Sequence, residues 1–546
     1  MLTRCVTVLV FLAAVLATAS TGLAESFPTP FSYWPSDLKI NGTVIACADA
    51  EVPSQAADIF LSKASGNEPK FALLALDQTP LPDNLQPAAD SAASFTTLAL
   101  FGDSACDATT ARAAIDAADG VVLLSSRTPG VKVAESLTKN QEALDRLLDR
   151  GGRLLAVGPV LNQLGRYQTT DQETITAGLN TIPDAILFQE PASLDEIQAP
   201  LAQAPTAVGI GVPARTAIVL RGRKIRTYGT GQATFAIRGN DRQPPRVQRV
   251  GAASNGRANP YETIIDLTAW RRDAIERQLP AFPSASPPKP HVEKGTLIIV
   301  GGGGTPRGLL ERMVELAGGK SAKMVYVPCR EEETVPADDG LIRRWKATGV
   351  ESAVVFHTKD RHQANSDEAF LEPLKEATGI WFGGGRQWNF ADSYYGTKAH
   401  RLMQAVVERG GVIGGSSAGA SIQGDYLARA NPVANFDIMA AGYERGLGFL
   451  TGVAIDQHFS QRNRQPDMSS LVDRYPQLLG IGIDESTALI VNGSAAEIVG
   501  QGQVFFYDRR RPVGADLPDY LALGAGQTFD LAERVEVTVP DVATAE

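Results

Sequence analysis

Positive charge is the first thing this sequence lacks. Its 51 lysines and arginines are outnumbered by 61 aspartates and glutamates, so the 546-residue chain carries a formal net charge of -10 at pH 7. Binding to a phosphate backbone requires a clustered basic face. We therefore expect no nucleic-acid partner.

Long apolar stretches are missing beyond the amino terminus. Residues 1–24 combine Arg4, an apolar run over residues 6–16 and small residues around Ala19 and Ala24, a pattern typical of a cleaved signal peptide. The run is too short to span a bilayer, and no later stretch is long and apolar enough to do so. We expect a periplasmic or extracellular protein with no membrane partner.

Cysteine is scarce for an exported protein. Only Cys47, Cys106 and Cys329 lie beyond residue 24, although exported proteins meet an oxidising environment. A bridge between Cys47 and Cys106 stays open, because sequence spacing does not show proximity, and Cys329 is expected to be a buried thiol. The five histidines form no pair with convincing metal-ligand spacing, so no metal or cofactor is predicted.

A proline-rich stretch divides the chain. Residues 280–293 read "PAFPSASPPKPHVE", a composition typical of an extended linker. It predicts an amino-terminal half, residues 25–279, and a carboxy-terminal half, residues 294–546.

The two halves resemble one another in sequence. "NGTVIACADA" (41–50) matches "KGTLIIVGGG" (294–303), and further blocks match in the same order at offsets of 259 and 271. In both halves short β-branched runs alternate with amphipathic segments such as "AHRLMQAVVERGG", a pattern that favours parallel strands with covering helices. The sequence predicts an internal duplication: two tandem doubly wound, flavodoxin-like α/β domains.

The carboxy-terminal half contains a G-x-S-x-G sequence. Residues 415–419 read "GSSAG", the pattern of a nucleophile elbow centred on Ser417. An ordinary glycine-rich turn with a serine helix cap is the alternative. Because the matching position of the amino-terminal half is Gly158, we favour a functional serine in one half and a silent copy in the other.

A serine nucleophile requires a base and an acid. His458 follows the apolar run 453–455, so it is expected at a strand's carboxyl end, and the matching residue is near Glu190. The residues alone leave the acid open among those between Ser417 and His458: Asp425, Asp437, Glu444 and Asp456.

Backbone N–H groups around the serine are candidates for an oxyanion hole. They belong to Gly384 and Gly385, in a glycine turn, and to Ala418, at the start of the predicted helix. Fixed donors of this kind stabilise the charge that develops in acyl transfer.

Four motifs carry a resemblance to a known family. "WFGGGRQ", "GGSSAGAS", "AIDQHFSQRNR" and "GIGIDESTALIV" resemble, over about residues 294–530, the cyanophycinase family of serine peptidases. These are relatives of peptidase E, with a fold similar to class I glutamine amidotransferases. The resemblance implies hydrolysis of β-aspartyl linkages by Ser417 and His458.

The resemblance also implies roles for other residues. "NFDIM" (435–439) points to Asp437 as the acid, and Gln387, Arg462 and Arg464 match substrate-binding positions. The family's "GGDQ" is replaced here by "GGRQ", which puts Arg386 beside the substrate.

We therefore predict a secreted serine peptidase that acts on a peptide or polymer with β-aspartyl linkages. Its amino-terminal half is expected to be catalytically silent and to serve in substrate binding or in a homodimer contact. Two rival functions are an α/β-hydrolase esterase, which also uses G-x-S-x-G, and a polymer-binding protein without activity.

Overall fold

The structure is a computed structural model. It describes residues 40–62, 69–86, 94–101, 105–169, 174–191, 193–252, 263–510 and 518–537. The expected signal peptide, residues 1–24, lies outside the described residues.

The described part of the amino-terminal half contains fourteen strands and six α-helices. The strands are β1 (Thr43–Cys47), β2 (Lys70–Ala75), β3 (Ser94–Ala99), β4 (Gly120–Leu124), β5 (Arg153–Val157), β6 (Gly165–Thr169), β7 (Ile175–Ala177), β8 (Ile182–Gln189), β9 (Val208–Val212), β10 (Thr216–Arg221), β11 (Lys224–Gly229), β12 (Gln232–Ile237), β13 (Arg246–Gly251) and β14 (Ile264–Asp266). The helices are α1 (Ser54–Leu61), α2 (Ala108–Ala117), α3 (Val131–Lys139), α4 (Gln141–Asp149), α5 (Leu194–Leu201) and α6 (Leu267–Glu276).

The described part of the carboxy-terminal half contains fourteen strands and eight α-helices. The strands are β15 (Val292–Val300), β16 (Lys323–Val327), β17 (Ser352–Val355), β18 (Gly379–Phe382), β19 (Val412–Ser416), β20 (Gly424–Tyr426), β21 (Leu450–Gln457), β22 (Leu479–Ile483), β23 (Thr487–Gly493), β24 (Ala495–Gly500), β25 (Gln503–Asp508), β26 (Leu521–Gly524), β27 (Thr528–Asp530) and β28 (Val535–Glu536). The helices are α7 (Leu309–Leu316), α8 (Gly340–Ala347), α9 (Arg361–Ser366), α10 (Glu368–Glu376), α11 (Trp388–Tyr394), α12 (Lys398–Glu408), α13 (Ala418–Ser421) and α14 (Gln465–Arg474).

Helix α12 shows how local sequence sets an element. The Thr397 side chain caps its first turn by accepting the His400 N–H. Met403 and Val406 bury one face, and Gly410, with φ of 94°, follows its end. Capping residue, apolar spacing and glycine stop confirm the helix predicted from "AHRLMQAVVERGG".

Each half contains one large sheet, and the two sheets have matching strand orders. The amino-terminal sheet runs β3-β2-β4-β5-β1-β10-β11-β14 and the carboxy-terminal sheet runs β17-β16-β18-β19-β15-β23-β24-β27-β28. The first five strands in each order are parallel, and the sixth is antiparallel. The flavodoxin-like order was wrong, because the fifth position is filled by the first strand of each half.

A smaller sheet accompanies each large one. The orders are β7-β6-β8-β9-β12-β13 in the amino-terminal half and β20-β21-β22-β25-β26 in the carboxy-terminal half. Strand β21 pairs in parallel with β22, and Gln457 lies opposite Ile483. The residues that follow these two strands are therefore brought to one edge.

Helices cover both faces of the large sheet in the carboxy-terminal half. Alternate residues of β15 enter different cores: Leu297 and Ile299 pack with residues of α10, α11 and α12, whereas Ile298 and Val300 pack with residues of α7 and α8. Parallel sheets are buried on both faces, and in the carboxy-terminal half helices cover both faces, as the alternating pattern predicted.

Helix α6 connects the halves. Leu267, Trp270 and Ala274 lie in the amino-terminal core, while Ala269 and Ile275 of the same helix lie in the carboxy-terminal core. A helix that is buried around most of its circumference belongs to both cores at once. The halves are therefore packed together.

The predicted linker is packed as well. The Phe282 ring stacks on Tyr426 at a centroid distance of 6.2 Å, and the Arg445 guanidinium lies 4.2 Å from its centroid. Strand β15 begins at Val292, inside the predicted linker.

Two observations concern the expected cellular setting. Cys47, Cys106 and Cys329 are all free thiols, so the bridge left open between the first two is not formed. Within the described ranges, no helix combines the length and the hydropathy that crossing a membrane would require.

Candidate active site

Three polar side chains meet where strands of the carboxy-terminal half end. Ser417 follows β19, His458 follows β21, and Glu485 lies two residues beyond β22. The Ser417 Oγ lies 3.0 Å from His458 Nε2, and His458 Nδ1 lies 2.5 Å from Glu485 Oε1. A serine, an imidazole and a carboxylate therefore form one hydrogen-bonded chain.

Ser417 occupies a sharp strand-to-helix turn. Its backbone has φ of 57° and ψ of -113°, a conformation that non-glycine residues rarely adopt. A Cβ on Gly415 would lie 2.2 Å from the Gly419 oxygen, and one on Gly419 would lie 2.1 Å from the Phe382 oxygen. Only glycine fits on either side, which accounts for the G-x-S-x-G spacing.

The environment of His458 favours a neutral ring. Burial lowers the pKa of His458 below its usual range; the hydrogen bond with Glu485 opposes this, and the Arg462 charge adds to it. Because a carboxylate only accepts hydrogen bonds, Nδ1 carries the proton and Nε2 is left as the acceptor for the Ser417 hydroxyl. The imidazole is thus prepared to take a proton.

A glycine loop after β15 covers the imidazole. A Cβ on Gly302, which has φ of 98°, would lie 2.3 Å from His458 Cε1, and a Cβ on Gly303 would lie 2.5 Å from Glu485 Cβ. The Gly301 oxygen accepts the His458 N–H at 2.8 Å. The loop can approach this closely only because it has no side chains.

The candidate oxyanion donors flank the serine. A Cβ on Gly384 would lie 3.6 Å from Ser417 Cβ, whereas one on Gly385 would lie 2.6 Å from the Cys329 oxygen. Ala418 is the first residue of α13, where a backbone N–H has no acceptor within its own helix. Gly384 and Ala418 are therefore the two predicted donors best placed beside the nucleophile.

Comparison with known proteins identifies the family. The family model "Peptidase family S51" matches residues 296–499. The cyanophycinase of Geminocystis herdmanii (strain PCC 6308) is 29% identical over 225 residues, which cover 40% of this chain and 82% of that protein. The cyanophycinase of Synechococcus elongatus is 30% identical over 227 residues, which cover 40% of this chain and 69% of that protein.

The chain belongs to peptidase family S51. A solved peptidase from an acI-B1 Actinobacterium is 23% identical, with a TM-score of 0.33, and covers 44% of this chain and 98% of its own. The S51 match lies wholly in the carboxy-terminal half and includes Ser417, His458 and Glu485. The predicted resemblance to cyanophycinases is confirmed, and the chain is a peptidase of that family.

In this S51 peptidase the predicted acid, Asp437, is not the carboxylate that contacts the imidazole. Asp437 is exposed and lines a cavity of about 480 Å³ between the two halves, whereas the carboxylate on His458 Nδ1 is Glu485. The four acids expected from the sequence all lie between Ser417 and His458 in the chain, whereas Glu485 lies beyond His458. The pairing of β21 with β22 brings Glu485, the second residue after β22, to the imidazole. Glu485 lies in the motif "GIGIDES" (480–486), so the sequence did contain this acid at the end of an apolar run.

The other candidate acids have structural partners. Asp425 accepts the backbone N–H groups of Gly452 and Val453. Asp456 pairs with Arg429 and Arg464. The fourth candidate, Glu444, accepts the Gly442 N–H, and burial raises its pKa to about 8.

Two predicted substrate-binding side chains are turned into the protein. The Gln387 amide donates to the Ala428 oxygen at 2.6 Å and is buried. Arg464 is buried against Asp456 at 2.9 Å, and burial lowers its pKa to about 10. Both hold loops in place, so the prediction that they contact substrate is not supported by their positions.

Arg462 and Arg386 remain near the site. Arg462 is exposed, and its charge acts on His458. The Arg386 guanidinium donates to the Asn431 oxygen at 2.7 Å, at the rim of the cavity between the halves. Among the described residues, no group of three or more histidine, cysteine or acidic side chains is arranged to hold a metal ion.

Proposed function

We propose that this S51 peptidase hydrolyses β-aspartyl linkages by a serine mechanism in which Ser417 is the nucleophile, His458 the base and Glu485 the acid. The observation that carries the proposal is the hydrogen-bonded chain from Ser417 Oγ through the imidazole to Glu485 Oε1. Nucleophile, base and orienting acid in this order are the arrangement that acyl transfer requires.

The proposed reaction has two stages. His458 Nε2 takes the hydroxyl proton while Ser417 Oγ bonds to the carbonyl carbon of the substrate. Nε2 then gives that proton to the departing amine as its bond to carbon breaks, which leaves an acyl-enzyme. In the second stage a water molecule loses a proton to Nε2 as its oxygen bonds to the acyl carbon. The bond from that carbon to Ser417 Oγ then breaks, Oγ takes the proton back from Nε2, and the acid is released. N–H groups of Gly384 and Ala418 would stabilise the oxyanion, where one donor contributes about 3 to 4 kcal/mol.

The substrate class follows from the relatives. Two of them are named cyanophycinase, and cyanophycin is a polymer with β-aspartyl linkages to arginine. We therefore infer a peptide or polymer substrate with such linkages. The exposed Arg462 cation, whose charge acts on His458, supports an acidic substrate group near the imidazole.

The amino-terminal half is inferred to be a duplicated copy without activity. Its strand orders match those of the carboxy-terminal half, and Gly158 and Glu190 stand where the serine and the histidine would be expected. Residues 1–24 support export of the protein to the periplasm or the exterior, which cleavage mapping of the secreted chain would test.

The deciding experiment incubates the purified full chain with cyanophycin and with β-aspartyl dipeptides. We expect Ser417→Ala to remove all measurable turnover and all labelling by a fluorophosphonate probe. The neighbouring serine supplies the matched control: Ser416→Ala should keep both. Unchanged turnover in Ser417→Ala would refute the serine mechanism, and fluorophosphonate labelling without β-aspartyl hydrolysis would refute the substrate.

A further inference from the structure

We propose that the amino-terminal half positions the oxyanion-hole turn of the peptidase through Arg223 and Arg272, which bind the buried carboxylate of Asp392. The proposal rests on the serine mechanism given above. It assigns a task in catalysis to a half in which Gly158 and Glu190 stand at the positions that match the serine and the histidine.

Both arginines cross from one half to the other. Arg272, on α6, has no solvent exposure; its Nη1 lies 2.9 Å from Asp392 Oδ1 and its Nε donates to the Gly442 oxygen at 2.8 Å. Arg223, in the turn between β10 and β11, places Nη1 2.6 Å from Asp392 Oδ2. One carboxylate of the carboxy-terminal half thus receives two guanidiniums from the other half.

Asp392 is surrounded by cations and hydrogen-bond donors. Arg223 also binds Asp266 through Nε and Nη2, at 2.6 and 2.9 Å, so its guanidinium bridges a carboxylate of each half. The Tyr443 hydroxyl donates to Asp392 Oδ1 at 2.7 Å. Burial alone would raise the pKa of Asp392, but Arg223 and Arg272 outweigh it and hold the pKa below its usual range.

Asp392 lies on the helix that follows the glycine turn. Helix α11 begins at Trp388, directly after Gly383–Gln387, and the Arg223 guanidinium lies 4.5 Å from the Trp388 ring centroid. The Asn389 N–H and side-chain amide both donate to the Arg386 oxygen, at 3.0 and 3.1 Å. The first turn of α11 is therefore tied to the turn that carries Gly384.

The remaining link is from that turn to the nucleophile. Gly384 is the residue whose added Cβ would lie 3.6 Å from Ser417 Cβ. Donors act only when they are held at the position where the oxyanion forms, because a displacement of about 1 Å costs about a hundredfold in rate. Arg223 and Arg272 are accordingly positioning residues, which act on the reaction through α11.

The chain offers a matched control on the same helix. Arg271 is the neighbour of Arg272 and is also buried, but its Nε binds Asp184 of its own half at 2.9 Å. Arg271→Gln should disturb the amino-terminal half without disturbing α11. This variant therefore shows whether a fall in kcat comes from a less stable amino-terminal half or from a displaced α11.

The test measures kcat per active site in the full chain with cyanophycin as substrate. Active sites are counted by fluorophosphonate labelling carried to completion, so unfolded protein does not contribute. We expect kcat per site to fall about tenfold or more in Arg272→Gln and in Arg223→Gln, with KM changed less than about twofold. The rate constant of fluorophosphonate labelling should fall in parallel, because it also depends on the oxyanion donors.

Three outcomes decide the inference. It stands if Arg271→Gln keeps the wild-type kcat per site while the two positioning variants lose it. It is overturned if those variants stay within twofold of wild type, or if Arg271→Gln loses as much. Should both arginine variants fail to fold, Tyr443→Phe, which removes one hydrogen bond to Asp392, must lower kcat per site or the inference falls. Turnover in Ser417→Ala would instead refute the proposed function itself.

Discussion

The two halves of this chain end corresponding strands in similar backbone conformations but place different side chains there. The φ angles of Ser417 and Gly158 are 57° and 82°. Those of His458 and Glu190 are 49° and 44°. The N–H of Ser417 donates to Val300 at 3.0 Å, and that of Gly158 donates to the matching Cys47 at 3.0 Å. Both halves thus have the backbone conformation of the elbow, but only the carboxy-terminal half has a serine and a histidine at these positions.

The amino-terminal half, which we propose to be catalytically silent, differs from the carboxy-terminal half by more than one substitution at these positions. A Cβ on Gly158 would lie 1.9 Å from the Ser125 oxygen, so no side chain fits there. Where the S51 half has the bare loop around Gly302, the amino-terminal half has Asp49, whose carboxylate accepts the Arg215 N–H at 2.9 Å. The loop that is bare beside the imidazole in one half therefore carries a side chain in the other.

Substitution of Glu485, the acid that orients the imidazole, is expected to give the largest fall in kcat. Glu485→Gln should lower kcat by about 10³ to 10⁴, because an amide at this place no longer holds the imidazole tautomer or stabilises the imidazolium. Asp437→Asn, the acid favoured by sequence reasoning, should stay within twofold of wild type. Steady-state kinetics on both variants decide the assignment, and a loss confined to Asp437→Asn would reverse it.

The glycine loop should show the next largest effect. Gly302→Ala should lower kcat by about a hundredfold, since its Cβ would lie 2.3 Å from His458 Cε1 and displace the ring. The matching change in the other half, Asp49→Ala, should leave kcat unchanged. Equal losses in the two variants would contradict the view that only one half holds a site.

Restoring a serine to the silent half should cost stability and produce no activity. Gly158→Ser is expected to lower the free energy of unfolding by about 3 kcal/mol, from overpacking and a strained φ. Gly151→Ser is the control, because its φ is 85° but nothing lies within 4 Å of its added Cβ, so about 1 kcal/mol is expected. Denaturant unfolding measures both, and turnover by Gly158→Ser combined with Ser417→Ala would break the comparison.

The smallest effect concerns pH. The reaction needs neutral His458, so kcat/KM should fall as pH drops through the lowered pKa of that residue. Arg462→Gln removes a cation that holds the pKa down, so the acid limb should move to higher pH by about a few tenths of a unit, less at high salt. Arg462→Lys keeps the charge and should keep the limb in place. A shift to lower pH in Arg462→Gln would show the sign to be wrong.

Sequence reasoning reached much of the site because some signals are local. The elbow at Ser417 depends on glycines two residues away on either side, and helix α12 on its cap and its glycine stop. The same reasoning missed Glu485, because the acid is selected by the pairing of β21 with β22 across the small sheet. It also placed Gln387 and Arg464 on the substrate, since a motif does not show which way a side chain faces.

The amino-acid sequence by itself determined the alternating α/β pattern, the two-half organisation, the family resemblance, and the serine and histidine, because each is written in residue type and short-range spacing. The tertiary structure decided which carboxylate meets His458 Nδ1, which arginines are buried, and how α6 joins the two cores. These depend on contacts between residues far apart in the chain, such as Arg272 with Asp392, and such contacts exist only once strands and helices have packed.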